Sequence, residues 1–462
     1  MDPNTIVLLV VVLLVALLAI RMPVALALAL AGATGLALLQ GTDFATNMLA
    51  TEPFAQTNEF TLTIIPMFIL MGVFAVRARI AEQVYAVASH LLRRLPGGLG
   101  VATVMACAGF AAVSGSSIGT AATMSRLSIT EMRRAGYPES IAGALVAVAG
   151  TLGVLIPPSV FLVLYAIMTG ESVAAMLAAG IVPGIISALA YATFIMAVAP
   201  KLVAKPGSAD APNLDSAVEA AAGGTGSEST RVTATATPTK LRDLEMRGLV
   251  RVALLFFIVL GGIYSGFFTP TESAAMGALV AAVMLILEFR RQGFATLYEK
   301  FTGALKETAG TTSMVFAIVV GSAILSKFFV TARLPQTATS SISALDFSPH
   351  LTIALLLLML VPLGMALESI SILVISVPLL YPIATSMGFD GVWLGILIVK
   401  LIEIGMVTPP VGINCYVVAG TSGVNVERIF RGVAPFVAIE LAVVAVLFAF
   451  PELILWLPSL VR

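Results

Sequence analysis

Two short stretches carry the same unusual chemistry. GVLIPPSV runs from Gly153 to Val160 and GMVTPPVG from Gly405 to Gly412, each inside an otherwise apolar run. Proline has no N–H to donate and clashes with the carbonyl four residues back, so two in a row end a helix and strip donors from the carbonyls before them. In hydrocarbon an unpaired backbone group is costly, and broken backbone survives only where it is buried in protein or lines a cavity. Freed carbonyls are hard oxygen ligands suited to a cation such as sodium. The N-terminus of a restarted helix carries partial positive charge and suits a carboxylate.

Each break has a companion upstream. AAVSGSSIGTAATM offers Ser114, Ser116, Ser117, Thr120 and Thr123, with Gly115 and Gly119 to allow unwound backbone. LGMALESISILV offers Gly364, Glu368, Ser369 and Ser371. Serine and glycine in a membrane helix usually serve packing, and one such cluster alone reads that way. Two clusters, each followed by Gly-x-x-x-Pro-Pro in register, read as ligand sites. Charges within apolar runs need partners. Lys400 and Glu403 lie one helical turn apart and can pair with each other. Glu368 either faces a substrate cavity or caps a helix. Glu272, in FTPTESAA, reads as the third residue of a capping box with Thr269 as N-cap and Pro270 first.

The elements that hold these residues are membrane helices. The chain has 462 residues, 59% hydrophobic and 11% charged, far from the composition of soluble domains. Net charge is zero, which leaves no footprint for nucleic acid. Apolar runs of spanning length fall at 5–20, 24–40, 60–76, 141–169, 176–199, 249–268, 272–289, 309–329, 389–419 and 432–457. The regions 100–126 and 351–387 are too interrupted for one helix each and read as re-entrant hairpins of two half-helices. With the N-terminus outside and both hairpins re-entrant, all of the 25 basic residues except Lys327, Arg333, Lys400 and Arg462 fall on one side, the cytoplasmic one. The first apolar run has an acidic front and Arg21 behind it, the wrong order for a cleaved signal.

The chain divides into a first membrane repeat, 1–199, a second, 248–462, and a linker between them at 200–247. The linker is rich in Ala, Gly, Ser, Thr and Pro and reads as a disordered cytoplasmic tether. FAT at 44–46 recurs at 294–296, Ser114 falls opposite Gly364, and Pro157-Pro158 is echoed by Pro409-Pro410. Five spans per half, an odd number, invert the second repeat. The expected fold is therefore an all-α polytopic membrane protein with two inverted five-span repeats, each with a re-entrant hairpin (about 100–126 and 351–387) and a broken helix (141–169 and 389–419), the pattern of a secondary transporter. Residues 79–96 place Ile80, Val84, Val87 and Leu91 on one face and read as a cytoplasmic interfacial helix, with 328–350 as its outer counterpart.

The motifs LPGGLG (95–100), SGSSIGTAATM (114–124), EMRRAGYPES (131–140), GTLGVLIPPS (150–159), AGIVPG (179–184), GIYSGFFTPTESAA (262–275) and GMVTPPVG (405–412), in this order, resemble the large membrane subunit of the tripartite ATP-independent periplasmic (TRAP) transporters, often called DctM-like. The resemblance implies an elevator-type importer of a small organic acid in the bacterial inner membrane, with sodium as coupling ion and no other cofactor. It implies two partners, a small four-helix membrane subunit and an extracytoplasmic solute-binding protein, besides the membrane lipid. It places one sodium at Ser114, Ser117, Gly153, Ile156 and Pro157, and a second around Gly364, Gly405, Thr408 and Val411. Ser116, Thr120, Ser369 and Glu368 are the candidates for substrate contact. The 200–247 linker is longer than the family leads one to expect, and the unfused form of the permease is expected.

A stand-alone ion-coupled anion carrier of the divalent-anion or antiporter type also uses inverted repeats and hairpins, and is the alternative. A membrane enzyme needs a nucleophile with a base, or metal ligands facing one cavity. His90, His350, Cys107 and Cys415 are isolated in the sequence, and nothing points to a continuous pore.

Overall fold

The computed structural model describes residues 3–202, 246–334, 336–337 and 348–460, and every regular element in them is helical. The first half runs through α1 (Pro3–Ala19), α2 (Val24–Gln40), α3 (Thr42–Thr57), a 3-10 turn at Phe60–Thr63 leading into α4 (Ile64–Arg77), and α5 (Ile80–Leu92). It continues with α6 (Gly98–Ser114), α7 (Ser117–Arg134), α8 (Glu139–Leu155), α9 (Val160–Thr169) and α10 (Val173–Leu202). The second half holds α11 (Arg247–Tyr264), α12 (Pro270–Phe289), α13 (Phe294–Thr331), α14 (Pro349–Leu358), α15 (Leu360–Ala366) and α16 (Ser369–Ser386). It closes with α17 (Gly391–Val407), α18 (Ile413–Ser422), α19 (Val426–Ala449) and α20 (Glu452–Ser459). The expected linker lies outside the described residues except for its ends in α10 and α11. Of the outer arm expected at 328–350, residues 335 and 338–347 lie outside them too.

Helix ends fix the register of the repeat. Ser117 and Ser369 each open a helix, and Leu155 and Val407 each close one, 252 residues apart. Beyond the double prolines the offset grows by one, because left-handed Gly170 and Gly423 cap α9 and α18. The repeated FAT is not in this register. Gly41 and Gly293, at φ 92° and 97°, precede α3 and α13, so Thr42 and not Phe44 matches Phe294. Likewise Gly364 falls opposite Ala112, not Ser114. Three-residue identities recur by chance in an Ala-rich chain, whereas caps mark geometry.

Packing sorts the helices into two groups. In one, α2 lies along α13 and α12 along α4, with α1 on α2, α11 on α12 and α4 on α13. In the other, α8 packs against α6, α7 and α19, α15 and α19 against α17, and α18 against α7. The arm α5 touches α6 of the second group and α11 of the first. Its buried side includes Ile80, Val84 and Val87 as expected, but also Gln83 and His90, while Leu91 is 51% exposed. Packing in the last turn selects the neighbour three residues on from Val87 over the one four residues on.

Seven helices among the described residues are long and apolar enough to cross a bilayer, or eight if α8 and α9, bent by 43°, form one span. Ten spans were expected. The shortfall is α1 and α2, 17 residues each and about 26 Å long, a little under the hydrocarbon thickness, together with α17 and α18, which the second double proline divides. By contrast α16, expected as a hairpin arm, has spanning length.

Candidate functional site

The first break is built from three segments. α6 ends at Ser114, Gly115 turns left-handed at φ 59°, and Ser116 caps α7 by accepting the Gly119 N–H at 3.2 Å. The Ser114 and Thr120 hydroxyls hydrogen-bond at 2.7 Å across this turn. α8 stops at Leu155, Ile156 is extended, and after Pro157-Pro158 the side chain of Ser159 caps α9. The turn and the break touch. A Cβ on Gly153 would stand 2.7 Å from the Ser116 carbonyl oxygen and 3.0 Å from Thr120 Oγ1. Pro157 withholds the N–H that the Gly153 carbonyl would otherwise accept. The structure thus brings Ser114, Ser117, Gly153, Ile156 and Pro157 to one place.

At the second break α15 gives way to extended Leu367, and Glu368 caps α16, accepting from Ser371 N at 3.4 Å and from its hydroxyl at 3.3 Å. Of the two roles open to Glu368, this is the cap. α17 ends at extended Thr408, then Pro409-Pro410, Val411 and left-handed Gly412 lead into α18. Gly364 and Gly405 meet backbone to backbone: a Cβ on Gly364 would stand 2.8 Å from the Gly405 Cα. The Gly405 carbonyl accepts the Thr408 N–H at 3.0 Å, and the Thr408 hydroxyl donates to Ile404 O at 2.6 Å. That carbonyl is therefore partly satisfied, unlike the expectation of a freed one.

The two breaks differ in exposure. Pro157, Pro158 and Ser159 are buried, whereas Pro409, Pro410 and Val411 are exposed. Ile156 lies against Gly184, and a Cβ on Gly72 of α4 would stand 2.7 Å from Ser114 O. Of the substrate candidates, Thr120 and Ser369 are buried in internal contacts, while Ser116 and Glu368 are half-buried.

Between the breaks lies a charged cluster that sequence reading resolved only in part. Lys400 does not pair with Glu403. Its ammonium makes an ion pair with Glu440 of α19 and donates to Ser187 Oγ of α10 at 2.6 Å, and Ser187 donates on to Glu440 Oε1 at 3.1 Å. Glu403 turns instead to the hairpin turns. Its Oε1 accepts from Ser369 Oγ at 3.3 Å, and Ser117 of the other turn is an electrostatic neighbour of its carboxylate. Oε2 of Glu403 and of Glu440 and the Tyr191 hydroxyl are buried without partners. Thr151, Tyr191, Lys400, Glu403 and Glu440 line one small cavity of about 10 Å³, room for roughly one water. Glu440, a lone acid in the apolar run 432–449, was visible by the reasoning applied to Lys400. Ser187 and Tyr191 carried no such signal.

Away from the breaks, Glu272 completes the expected capping box, with Thr269 N donating to its carboxylate at 2.8 Å and Glu272 N donating to Thr269 Oγ1 at 3.3 Å. Cys107 and Cys415 are buried free thiols. Among the described residues no group of three His, Cys, Asp or Glu could hold a metal ion.

Comparison with known proteins agrees with this architecture. The family described as the tripartite ATP-independent periplasmic transporter, DctM component, matches residues 11–453. The C4-dicarboxylate TRAP transporter large permease protein DctM of Pseudomonas aeruginosa is 33% identical over 432 residues, 93% of each chain. The sialic acid TRAP transporter large permease protein SiaM of Vibrio cholerae is 30% identical over 445 residues, 95% of each. Among solved structures, the YdaH transporter of Alcanivorax borkumensis has a TM-score of 0.59 at 14% identity, covering 88% of this chain and 89% of its own. MtrF of Neisseria gonorrhoeae has a TM-score of 0.61 at 15% identity, covering 89% and 85%. At those identities the likeness speaks for the fold alone.

Proposed function

The chain belongs to the DctM component family of TRAP transporters, as a large permease subunit rather than an enzyme, and we propose that it imports a small organic acid driven by sodium. The observation that carries this reading is the close packing of the helix before each double proline, through a glycine that leaves no space for a Cβ, on the turn at Ser116 in one case and on α15 in the other. Oxygen ligands from two segments then converge where a cation could sit, at Ser114, Ser117, Gly153, Ile156 and Pro157 in one seat and at Gly364, Gly405, Thr408 and Val411 in the other. Ser116, Thr120 and Ser369 flank the path of the acid, while Glu368 caps α16.

The permease names of relatives mention a C4-dicarboxylate and sialic acid, both carboxylates, so the cargo class is a dicarboxylate, a sugar acid or a similar carboxylate. The tripartite family description supports two partners, a small membrane subunit and an extracytoplasmic solute-binding protein. The subunit sits in the bacterial inner membrane with its N-terminus outside, and α6–α7 and α14–α16 enter and return as hairpins. An elevator movement of the second packing group against the first fits the difference between one covered and one exposed break. Ion pairs also fall within groups: Arg77–Glu307 and Arg251–Glu288 in the first, Arg133–Glu139–Arg428 in the second.

The test is uptake into proteoliposomes holding this chain and its small subunit, with an acid-loaded binding protein outside. Uptake requires an inward sodium gradient, and S117L and T408L abolish it while the proteins remain folded. Unchanged uptake in both variants overturns the seat assignment. Uptake without any binding protein favours the stand-alone carrier.

A further inference from the structure

The break-bearing helices are symmetry mates, and so are the residues of the charged cluster. In the register fixed by the caps, Glu403 of α17 falls opposite Thr151 of α8, Lys400 opposite Val148, and Glu440 of α19 opposite Ser187 of α10. Glu440 and Ser187 are hydrogen-bonded to each other, and Glu403 and Thr151 line the same cavity. The cluster therefore sits on the pseudo-two-fold axis that relates the halves. Its charges come only from the second repeat.

Charge does not balance there. Two buried carboxylates share one buried ammonium, and that ammonium is held by Glu440 and Ser187. Glu403 is left with half of its carboxylate unpartnered and with the Ser369 hydroxyl on the other half. A buried carboxyl group in this position is either protonated or, when ionised, needs positive charge close by. Its donor Ser369 and its neighbour Ser117 are the first helical residues after the two hairpin turns. A hydroxyl whose proton is drawn to a carboxylate turns its lone pairs the other way and becomes a better cation ligand, as outer-shell carboxylates do for metal ligands generally.

We infer that Glu403 is a positioning residue between the two turns: one carboxylate on the symmetry axis orients the Ser369 hydroxyl at one turn, lies beside Ser117 of the first ion seat at the other, and supplies the negative charge that holds a cation there. This rests on the sodium reading of the breaks. Lys400 and Glu440 keep α17 rotated so that Glu403 faces the turns and not α19.

Sodium binding to the purified full-length protein, read as the sodium-dependent rise in Tm with choline as control, tests the inference. E403Q keeps an acceptor but not the charge. It should need at least tenfold more sodium for the half-maximal shift, while the KM for the acid at saturating sodium changes less than threefold. A merely structural role predicts no such split. E403T should lose sodium affinity as well, and T151E/E403T, which moves the carboxylate across the axis into the same cavity, should regain part of it; this pair carries the test if E403Q does not purify. A sodium-responsive wild type with an unaffected E403Q, or a T151E/E403T no better than E403T, overturns the inference alone. A wild type indifferent to sodium overturns the parent reading, and this one with it.

Discussion

At the residue scale, the pairing of Lys400 shows how far a sequence carries. The rule that an intramembrane charge needs a partner was sound, and the nearest acid was the wrong one. Partners one turn apart on a helix are visible in a sequence, whereas Glu440, forty residues on, meets Lys400 only because α19 packs against α17. Glu403 is thereby freed to accept from Ser369. Removing one member of a buried ion pair strands the other, at about 3–5 kcal/mol. K400M should therefore lower thermostability in detergent by more than K400M/E440Q, which removes both charges. A double variant less stable than the single would mean that the pair contributes net stability beyond avoiding a stranded charge. Glu272 shows the opposite case. Its capping box was legible because cap chemistry is local, from Thr269 to Glu272.

At the element scale, the breaks were legible because proline and glycine act on their own backbone. The helix ends at Ser114 and Ala366 fall at the Gly and Ser interruptions, although α7 runs on to Arg134 and α16 reaches spanning length. The register of the repeat was not legible from FAT, since it is set by caps whose spacing changes by one across the prolines. Two variants separate local structure from the seats. T269A removes an N-cap and should cost about 1 kcal/mol while transport per folded protein stays unchanged. G153A places a Cβ 2.7 Å from the Ser116 carbonyl oxygen, an overpacking worth about 1–3 kcal/mol, and it should displace the turn. It is expected to insert and fold yet to lose most of its sodium-dependent uptake. Wild-type sodium dependence in G153A would detach the turn from the ion seat.

At the scale of the whole molecule, the charge bias along the sequence is consistent with packing. Arg133 and Arg428, assigned to one side from far-apart loops, both pair with Glu139 at 2.7 Å. What the sequence leaves out is the grouping of helices, because α2 with α13 and α4 with α12 join opposite halves. The inverted repeat makes a direct prediction of sidedness. Cysteines at Thr385, near the end of α16, and at Glu131, near the end of α7, are both exposed, against native thiols that are buried. An impermeant thiol reagent should label T385C in intact spheroplasts and E131C only after permeabilisation; labelling of both from one side contradicts inversion. The account stands on the breaks as sodium seats coupled to the movement of an acid. Tracer sodium entry into proteoliposomes, measured as binding protein delivers the acid, addresses that most directly. The account predicts sodium entry that rises with the acid and vanishes in S117L and T408L, and acid entry with no accompanying sodium would contradict it.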